Sequence, residues 1–151
     1  MVDELLAGQR TAHGSVSAKR TGERTFEGRN ERGATVRIGP EDAPDAFTPG
    51  ELLKVALAAC AGMSSDRVIA RRLGEDFSAT FWAHGVSDPA TNRYSAIDEE
   101  IVLAGLDAMA EQDRAKLLDL IHRSIDKGCT VARSVEGSID LTSTVSDVAG
   151  A

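Results

Sequence analysis

Two cysteines, Cys60 and Cys129, are the only thiols of this chain and its strongest candidates for chemistry. Cys60 lies in an apolar run from Glu51 to Met63, and Cys129 follows Gly128 at the end of a second segment with helical periodicity. A single buried cysteine usually serves as a small apolar side chain. Two cysteines that each adjoin an apolar helix and a glycine suggest thiol–disulfide chemistry, in which one sulfur attacks and the other resolves the product.

The spacing of the cysteines limits the kind of site that they can form. They do not form a C-x-x-C motif, which excludes a thioredoxin-type signature and a compact zinc knuckle. His122 lies two helical turns before Cys129 and could hint at a metal site, but metal ligands on a helix are normally closer in sequence. We therefore expect no metal and no cofactor, and two hypotheses stay open: a reactive pair of thiols, or inert core cysteines.

The elements that must position these thiols follow from hydrophobic periodicity and turn residues, and their order predicts an α+β fold. The predicted strands cover residues 24–28, 34–39, 76–84, 97–103 and 135–145, with a further strand at 13–18, and the predicted helices begin at Thr48 and cover roughly residues 110–127. The first helix opens with a capping box, because Thr48 and Glu51 have the S/T-x-x-E spacing and Pro49 suits the first helical position.

Residues 52–63 of this helix are apolar on nearly every side. Such a helix is expected to be buried all round rather than to lie on a surface. Because a chain of 151 residues offers little to surround it, we expect a second subunit to complete its cover, which predicts a homodimer.

Length and composition limit the number of domains, the kinds of partner and the compartment that can be expected. The length favours one domain over residues 1–151, with flexible ends at 1–10 and 146–151. A net charge of −7 argues against binding to nucleic acid or to an anionic membrane surface. No segment has the long apolar stretch of a membrane span, and the acidic N-terminus does not resemble a signal peptide, so the expected compartment is the cytoplasm.

Three motifs resemble those of the OsmC/Ohr family, the osmotically inducible protein C and organic hydroperoxide resistance proteins. They are TPGELL at 48–53, AACAGM at 58–63 and GCTV at 128–131. The order of the elements between them also fits, so that the resemblance covers roughly residues 20–145. It implies antiparallel sheets packed around a buried central helix in an intertwined homodimer.

The resemblance also implies a thiol peroxidase that acts on organic hydroperoxides in the oxidative stress response. Cys60 matches the peroxidatic cysteine, which becomes a sulfenic acid, and Cys129 matches the resolving cysteine, which forms a disulfide with it. A dithiol, for example of the lipoyl type, would then reduce the disulfide. The alternative is a non-catalytic small-molecule binding protein on the same scaffold.

A reactive thiolate needs a cation nearby, and the resemblance assigns this role to Arg37, with Arg20 and Arg24 as competitors. The hydroperoxidases of the family hold their arginine with a glutamate at the position of Gly50 in this chain. Glu51 either takes over that role or acts only in the capping box, and the sequence leaves both possibilities open.

Overall fold

A computed structural model describes residues 12–148 of the chain. The elements in chain order are β1 (Val16–Gly22), β2 (Thr25–Asn30), β3 (Thr35–Ile38), α1 (Pro49–Leu73), β4 (Ala79–His84), β5 (Ala96–Leu103), α2 (Glu111–Gly128), α3 (Thr130–Val135) and β6 (Asp140–Asp147). The described residues fall into two compact units, which divide between Leu52 and Leu53. Residues 1–10, one of the two expected flexible ends, lie outside the described residues. Of the other expected end, 146–151, residues 146 and 147 belong to β6 and residues 149–151 lie outside the described residues.

The first unit contains a three-stranded antiparallel sheet in the order β1-β2-β3. The turn between β2 and β3 forms because the Asn30 side chain accepts hydrogen bonds from the backbone N–H groups of Arg32 and Ala34. Gly33 supplies the positive φ, 91°, that this turn requires. The sheet therefore contains the two strands predicted on either side of this turn and the weaker strand predicted before them.

Helix α1 begins with the predicted capping box. The backbone N–H of Glu51 donates to the Thr48 hydroxyl over 3.1 Å, and the backbone N–H of Thr48 donates to a Glu51 carboxylate oxygen over 2.8 Å. The helix ends at Leu73, where Gly74 takes a φ of 95° and its N–H donates to the carbonyl of Ala70. The capping box therefore predicted the start of α1.

Helix α1 is not buried on every side by its own chain. Leu57, Ala61 and Ile69 are buried on one face of the helix, whereas Val55 is 48% exposed and Met63 is 82% exposed. Some apolar residues of α1 are therefore left uncovered by their own chain. The second subunit expected to cover them stays a prediction.

The second unit contains a mixed sheet in the order β4-β5-β6. Strands β4 and β5 are antiparallel, but β6 lies parallel to β5, with Ile97 opposite Leu141 and Ile101 opposite Val145. This corrects the expectation of purely antiparallel sheets. A parallel neighbour needs a crossover connection, and α2 and α3 provide it.

The predicted closing strand at 135–145 is also corrected. Residues 130–135 form α3, and the strand begins only at Asp140. Two turn-like hydrogen bonds, from the N–H groups of Ser138 and Ile139 to the carbonyl of Val135, separate the helix from the strand. Alternating apolar residues predicted the strand interior correctly and its start too early.

The core of the second unit lies between α1, α2 and the mixed sheet. Leu117, Ile121 and Ile125 of α2 recur every four residues and pack in one cluster with Ile69 of α1 and Ile101 of β5. Cys129 belongs to this cluster and Cys60 packs against it. The core is therefore also the place where the two thiols meet.

Candidate functional site

The structure brings Cys60 and Cys129 together. The Cys129 thiol donates a hydrogen bond to the Cys60 sulfur, and both cysteines are free rather than disulfide-bonded. Cys129 is 0% exposed, whereas Cys60 is partly exposed. Of the two cysteines, Cys60 is therefore the more accessible to a reagent from solvent.

Cys129 occupies the junction between two helices. Its φ of −80° and ψ of 91° end α2, while its N–H still donates to the carbonyl of Ile125 over 2.9 Å. Its own carbonyl accepts from the N–H of Arg133 and so begins α3. The backbone hydrogen bonds of Cys129 are therefore formed on both sides. Its side chain is buried in the core.

Gly128 allows the end of α2 to approach α1. A β-carbon at position 128 would lie 3.3 Å from the Ser64 hydroxyl oxygen and 3.4 Å from the Ser64 β-carbon. The Ser64 hydroxyl in turn donates to the carbonyl of Cys60 over 2.7 Å. Ser64 therefore connects the backbone of Cys60 to the segment that carries Cys129.

The surroundings of Cys129 keep its thiol protonated. Burial is the largest effect, and together with the hydrogen bond to Cys60 it raises the pKa of Cys129 to about 11. The negative charge of Glu99 acts in the same direction, while the backbone N–H of Ala132, which faces the sulfur, acts against it. At neutral pH Cys129 is a thiol that donates a hydrogen bond, not a nucleophilic thiolate.

Glu99 was not predicted as a site residue. It lies on β5 and is only 5% exposed, and burial raises the pKa of its carboxyl above the ordinary value. The signal for it was present in the sequence, since the alternation of β5 places Glu99 on the same face as Ile97 and Ile101. A carboxylate on the apolar face of a strand has to be explained by its partners or by a function.

The other predicted site residues belong to the first unit, whereas both cysteines belong to the second. Arg37 is exposed on β3 and pairs in register with Glu27 of β2. The carboxylate of Glu51 is engaged in the capping box. Arg20 is exposed on β1, and Arg24 takes a φ of 54° in the turn between β1 and β2.

A surface pocket of about 460 Å³ lies along α1, at residues that follow Cys60 in sequence. It is lined by Gly62, Met63, Asp66, Phe77, Ala79 and Phe81. A β-carbon at position 62 would make an ordinary contact of 3.4 Å with the Phe81 ring. The two phenylalanines and the methionine give the pocket an apolar part next to the carboxylate of Asp66.

Within residues 12–148 no group of three histidine, cysteine, aspartate or glutamate side chains is arranged to hold a metal ion. No helix in that part of the chain is both long enough and apolar enough to cross a membrane.

Comparison with known proteins relates the chain to one family. A family model described as OsmC-like protein matches residues 39–144. A protein of Mycobacterium tuberculosis described as uncharacterized is 44% identical over 130 residues, which cover 86% of this chain and 94% of the relative.

Two solved structures illustrate the similarity of fold. A hypothetical protein from Aquifex aeolicus superposes with a TM-score of 0.71 at 21% identity, covering 88% of this chain and 94% of the other. The organic hydroperoxide resistance protein OhrB of Bacillus subtilis superposes with a TM-score of 0.58 at 16% identity, covering 87% of this chain and 96% of the other.

Proposed function

The chain belongs to the OsmC-like protein family, and we propose that it is a cysteine-based thiol peroxidase that reduces organic hydroperoxides. The observation that carries this proposal is the hydrogen bond between the Cys129 thiol and the Cys60 sulfur. A resolving cysteine has to lie this close to a peroxidatic cysteine if a disulfide is to form without a large rearrangement.

In the first step the Cys60 thiolate attacks the terminal oxygen of the hydroperoxide. The O–O bond breaks, an S–O bond forms, and the alkoxide takes a proton and leaves as an alcohol, so that Cys60 becomes a sulfenic acid. The sulfur is oxidised by two electrons and the peroxide is reduced by two.

In the second step Cys129 attacks the sulfenic sulfur of Cys60. An S–S bond forms and the hydroxide leaves as water, with the proton that the Cys129 thiol has lost. A dithiol reductant then reduces the disulfide and returns both thiols. A lipoyl-type dithiol has the chemistry that this step requires.

The division of roles follows from exposure and protonation. Cys60 is reachable from solvent, whereas Cys129 is fully buried and carries a pKa of about 11. Since only a thiolate attacks a peroxide efficiently, Cys129 is unsuited to the first step, which leaves it the resolving role.

The substrate class is proposed from the apolar part of the pocket that lies along α1 after Cys60. Its lining of Phe77, Phe81 and Met63 favours an alkyl chain over hydrogen peroxide, which has no apolar part. The name of the Bacillus subtilis protein with a similar fold, organic hydroperoxide resistance protein OhrB, points to the same class. An enzyme of this kind would act in the oxidative stress response, and we place it in the cytoplasm.

Arg37 is proposed as the cation that stabilises the Cys60 thiolate, and this assignment rests on the family resemblance. Glu51 is proposed to act in the capping box, because both of its hydrogen bonds to Thr48 are formed. A homodimer is proposed from the exposed apolar residues of α1, Val55 and Met63.

The second candidate function is that of a small-molecule binding protein with inert thiols. A pocket of about 570 Å³ in the first unit, lined by Val16, Ala18, Val36 and Leu52 among others, favours this alternative. It would need no reaction at either cysteine.

Turnover of an alkyl hydroperoxide by the purified protein with a dithiol reductant separates the two functions. We expect multiple turnovers with cumene hydroperoxide and lipoyl dithiol, and slower turnover with hydrogen peroxide. Cys60 should also react with iodoacetamide at neutral pH much faster than a free cysteine does. Absence of both reactions would leave the binding function as the better account.

A further inference from the structure

Glu99 is buried without a complete set of partners. Its side chain is 5% exposed, and its Oε1 atom is buried with no hydrogen-bond partner. Buried carboxyl oxygens in folded proteins are normally hydrogen-bonded, because an unpaired one costs free energy. A carboxyl held in this way is therefore a candidate for a role in chemistry.

The strand beside Glu99 adds a second unpartnered polar atom. Ser143 of β6 is the register partner of Glu99, and its Oγ atom is also buried without a hydrogen-bond partner. On the other side of Glu99, β4 contributes Ala83, which has no polar side chain. Glu99 and Ser143 together form a small polar patch between neighbouring strands.

The buried face of β5 connects Glu99 to the thiols. Ile101, two residues further along the same face, belongs to the same core cluster as Cys129. The charge of Glu99 acts on Cys129, and Cys129 is hydrogen-bonded to Cys60. The neighbouring acids of β5 have partners elsewhere: Glu100 contacts His84, and Asp98 accepts from Thr142. Glu99 is therefore the acid of β5 that combines an unpartnered oxygen with an effect on Cys129.

The second step of the proposed reaction needs a proton acceptor. With a pKa of about 11, on the order of one Cys129 side chain in ten thousand is a thiolate at neutral pH. Attack by that fraction alone would be slow. A base near the sulfur removes the limitation, because it takes the proton as the S–S bond forms.

We propose that Glu99 is the proton-transfer residue of the resolving step. Its carboxylate takes the proton of the Cys129 thiol, directly or through one water, as the sulfur attacks the Cys60 sulfenic sulfur. The same proton then passes to the departing hydroxide, so that water leaves and Glu99 returns to its carboxylate form. This inference rests on the proposed peroxidase function.

A mixed disulfide tests the proton transfer without any peroxide. Dithiobis(nitrobenzoate) attaches a nitrothiobenzoate group to the more exposed Cys60. Attack by Cys129 then forms the Cys60–Cys129 disulfide and releases the coloured nitrothiobenzoate anion, while the thiol proton goes to Glu99. The release rate therefore reports the transfer of the Cys129 proton to Glu99. Nitrothiobenzoate leaves as an anion, so that it needs no proton from an acid.

We expect Glu99→Gln to slow this release about 100-fold at neutral pH, with the labelling of Cys60 unchanged. Glu100→Gln is the matched control, because it makes the same change one residue away on the opposite face, and it should release at the normal rate. Glu99→Asp should recover part of the rate. A Glu99→Gln protein that releases as fast as the unmodified protein would overturn the proposal.

The pH profile provides a readout that a structural role would not move. The unmodified protein should show a release rate that levels off above the pKa of Glu99, whereas Glu99→Gln should gain about tenfold per pH unit, because only preformed thiolate attacks. If glutamine at 99 disturbs folding, the profile of the unmodified protein decides alone: a plateau supports the proposal, and a rise of tenfold per unit into the alkaline range contradicts it.

The proposed peroxidase function and the proposed role of Glu99 can be refuted independently of each other. A protein that does not react with hydroperoxides but releases nitrothiobenzoate in a Glu99-dependent manner would refute the peroxidase function and support the role of Glu99 toward Cys129. A protein that forms the sulfenic acid and resolves it equally fast with glutamine at 99 would support the peroxidase function and refute the role of Glu99.

Discussion

Gly128 and Ser64 face each other so closely that a β-carbon at position 128 would lie 3.3 Å from the Ser64 hydroxyl oxygen. Ser64 is bonded to the carbonyl of Cys60, and Gly128 directly precedes Cys129. The closeness of these two small residues is what brings the buried thiol to the exposed one. Residues at this contact are expected to control disulfide formation more than stability.

Gly128→Ala should slow formation of the Cys60–Cys129 disulfide by about tenfold, because a displacement of a few tenths of an ångström is enough to misalign two sulfur atoms. Its free energy of unfolding should change by less than about 1 kcal/mol, since the higher helix propensity of alanine offsets the tighter contact. The rate is measured by thiol titration after a single equivalent of alkyl hydroperoxide.

A rescue experiment makes this prediction specific. Ser64→Ala combined with Gly128→Ala removes the nearest atom and leaves an ordinary contact of 3.4 Å to the β-carbon. The double variant should therefore recover most of the rate. Equal rates for the unmodified protein and Gly128→Ala would show that the contact does not control the distance between the thiols.

Glu51→Ala should lower the free energy of unfolding by about 1 kcal/mol through loss of the capping box. Thr48→Ala should cost a similar amount, and the double variant less than the sum, because the two residues serve one another. Denaturant unfolding measures all three. Loss of peroxide reactivity in Glu51→Ala at unchanged stability would assign Glu51 a role at the thiol instead.

Arg37→Ala should slow the reaction of Cys60 with alkyl hydroperoxide by about 100-fold, because a cation that stabilises a thiolate contributes on this scale. Arg20→Ala and Arg24→Ala are the matched controls and should react at the normal rate. Stopped-flow fluorescence of Trp82 offers a signal, since Trp82 lies on β4 in the unit that carries both cysteines. A slow Arg20→Ala or Arg24→Ala beside a normal Arg37→Ala would reassign the cation.

Stability should fall in alkaline solution partly because of Cys129. The folded state raises its pKa from 9.0 to about 11, so between these values the folded protein holds a proton that the unfolded chain has lost. The stabilisation is complete below pH 9 and is lost as the pH rises through 11, and it amounts to about 3 kcal/mol. Urea unfolding at several alkaline pH values measures the decline in stability. The decline should be shallower in Cys129→Ala than in the unmodified protein. Equal declines in the two proteins would show that Cys129 does not titrate in this way.

Local signals predicted much of what positions the thiols. The capping box at Thr48 and Glu51 predicted the start of α1, and helical periodicity predicted α2 over roughly residues 110–127, close to the observed Glu111–Gly128. These features depend on neighbours in sequence, so they are visible without a fold. They placed Cys60 within one helix and Cys129 at the end of the other.

The remaining features depend on tertiary contacts. Alternation in β6 predicted which residues face inward but could not show that the strand runs parallel to β5, because side-chain period does not encode direction. Val135 fits the alternation and yet ends a helix. The burial of Glu99 likewise depends on cover by neighbouring strands. The alternation in the sequence indicates on which face of β5 Glu99 lies, but it does not indicate that one carboxyl oxygen lacks a hydrogen-bond partner.

The central claim is that Cys60 attacks the peroxide and Cys129 resolves it, and mass mapping after one equivalent of cumene hydroperoxide tests it most directly. We expect a Cys60–Cys129 disulfide in the unmodified protein and a stable Cys60 sulfenic acid, trapped by dimedone, in Cys129→Ser. Cys60→Ser should consume no peroxide. Peroxide consumption by Cys60→Ser, or an unmodified protein that keeps both thiols, would contradict the account.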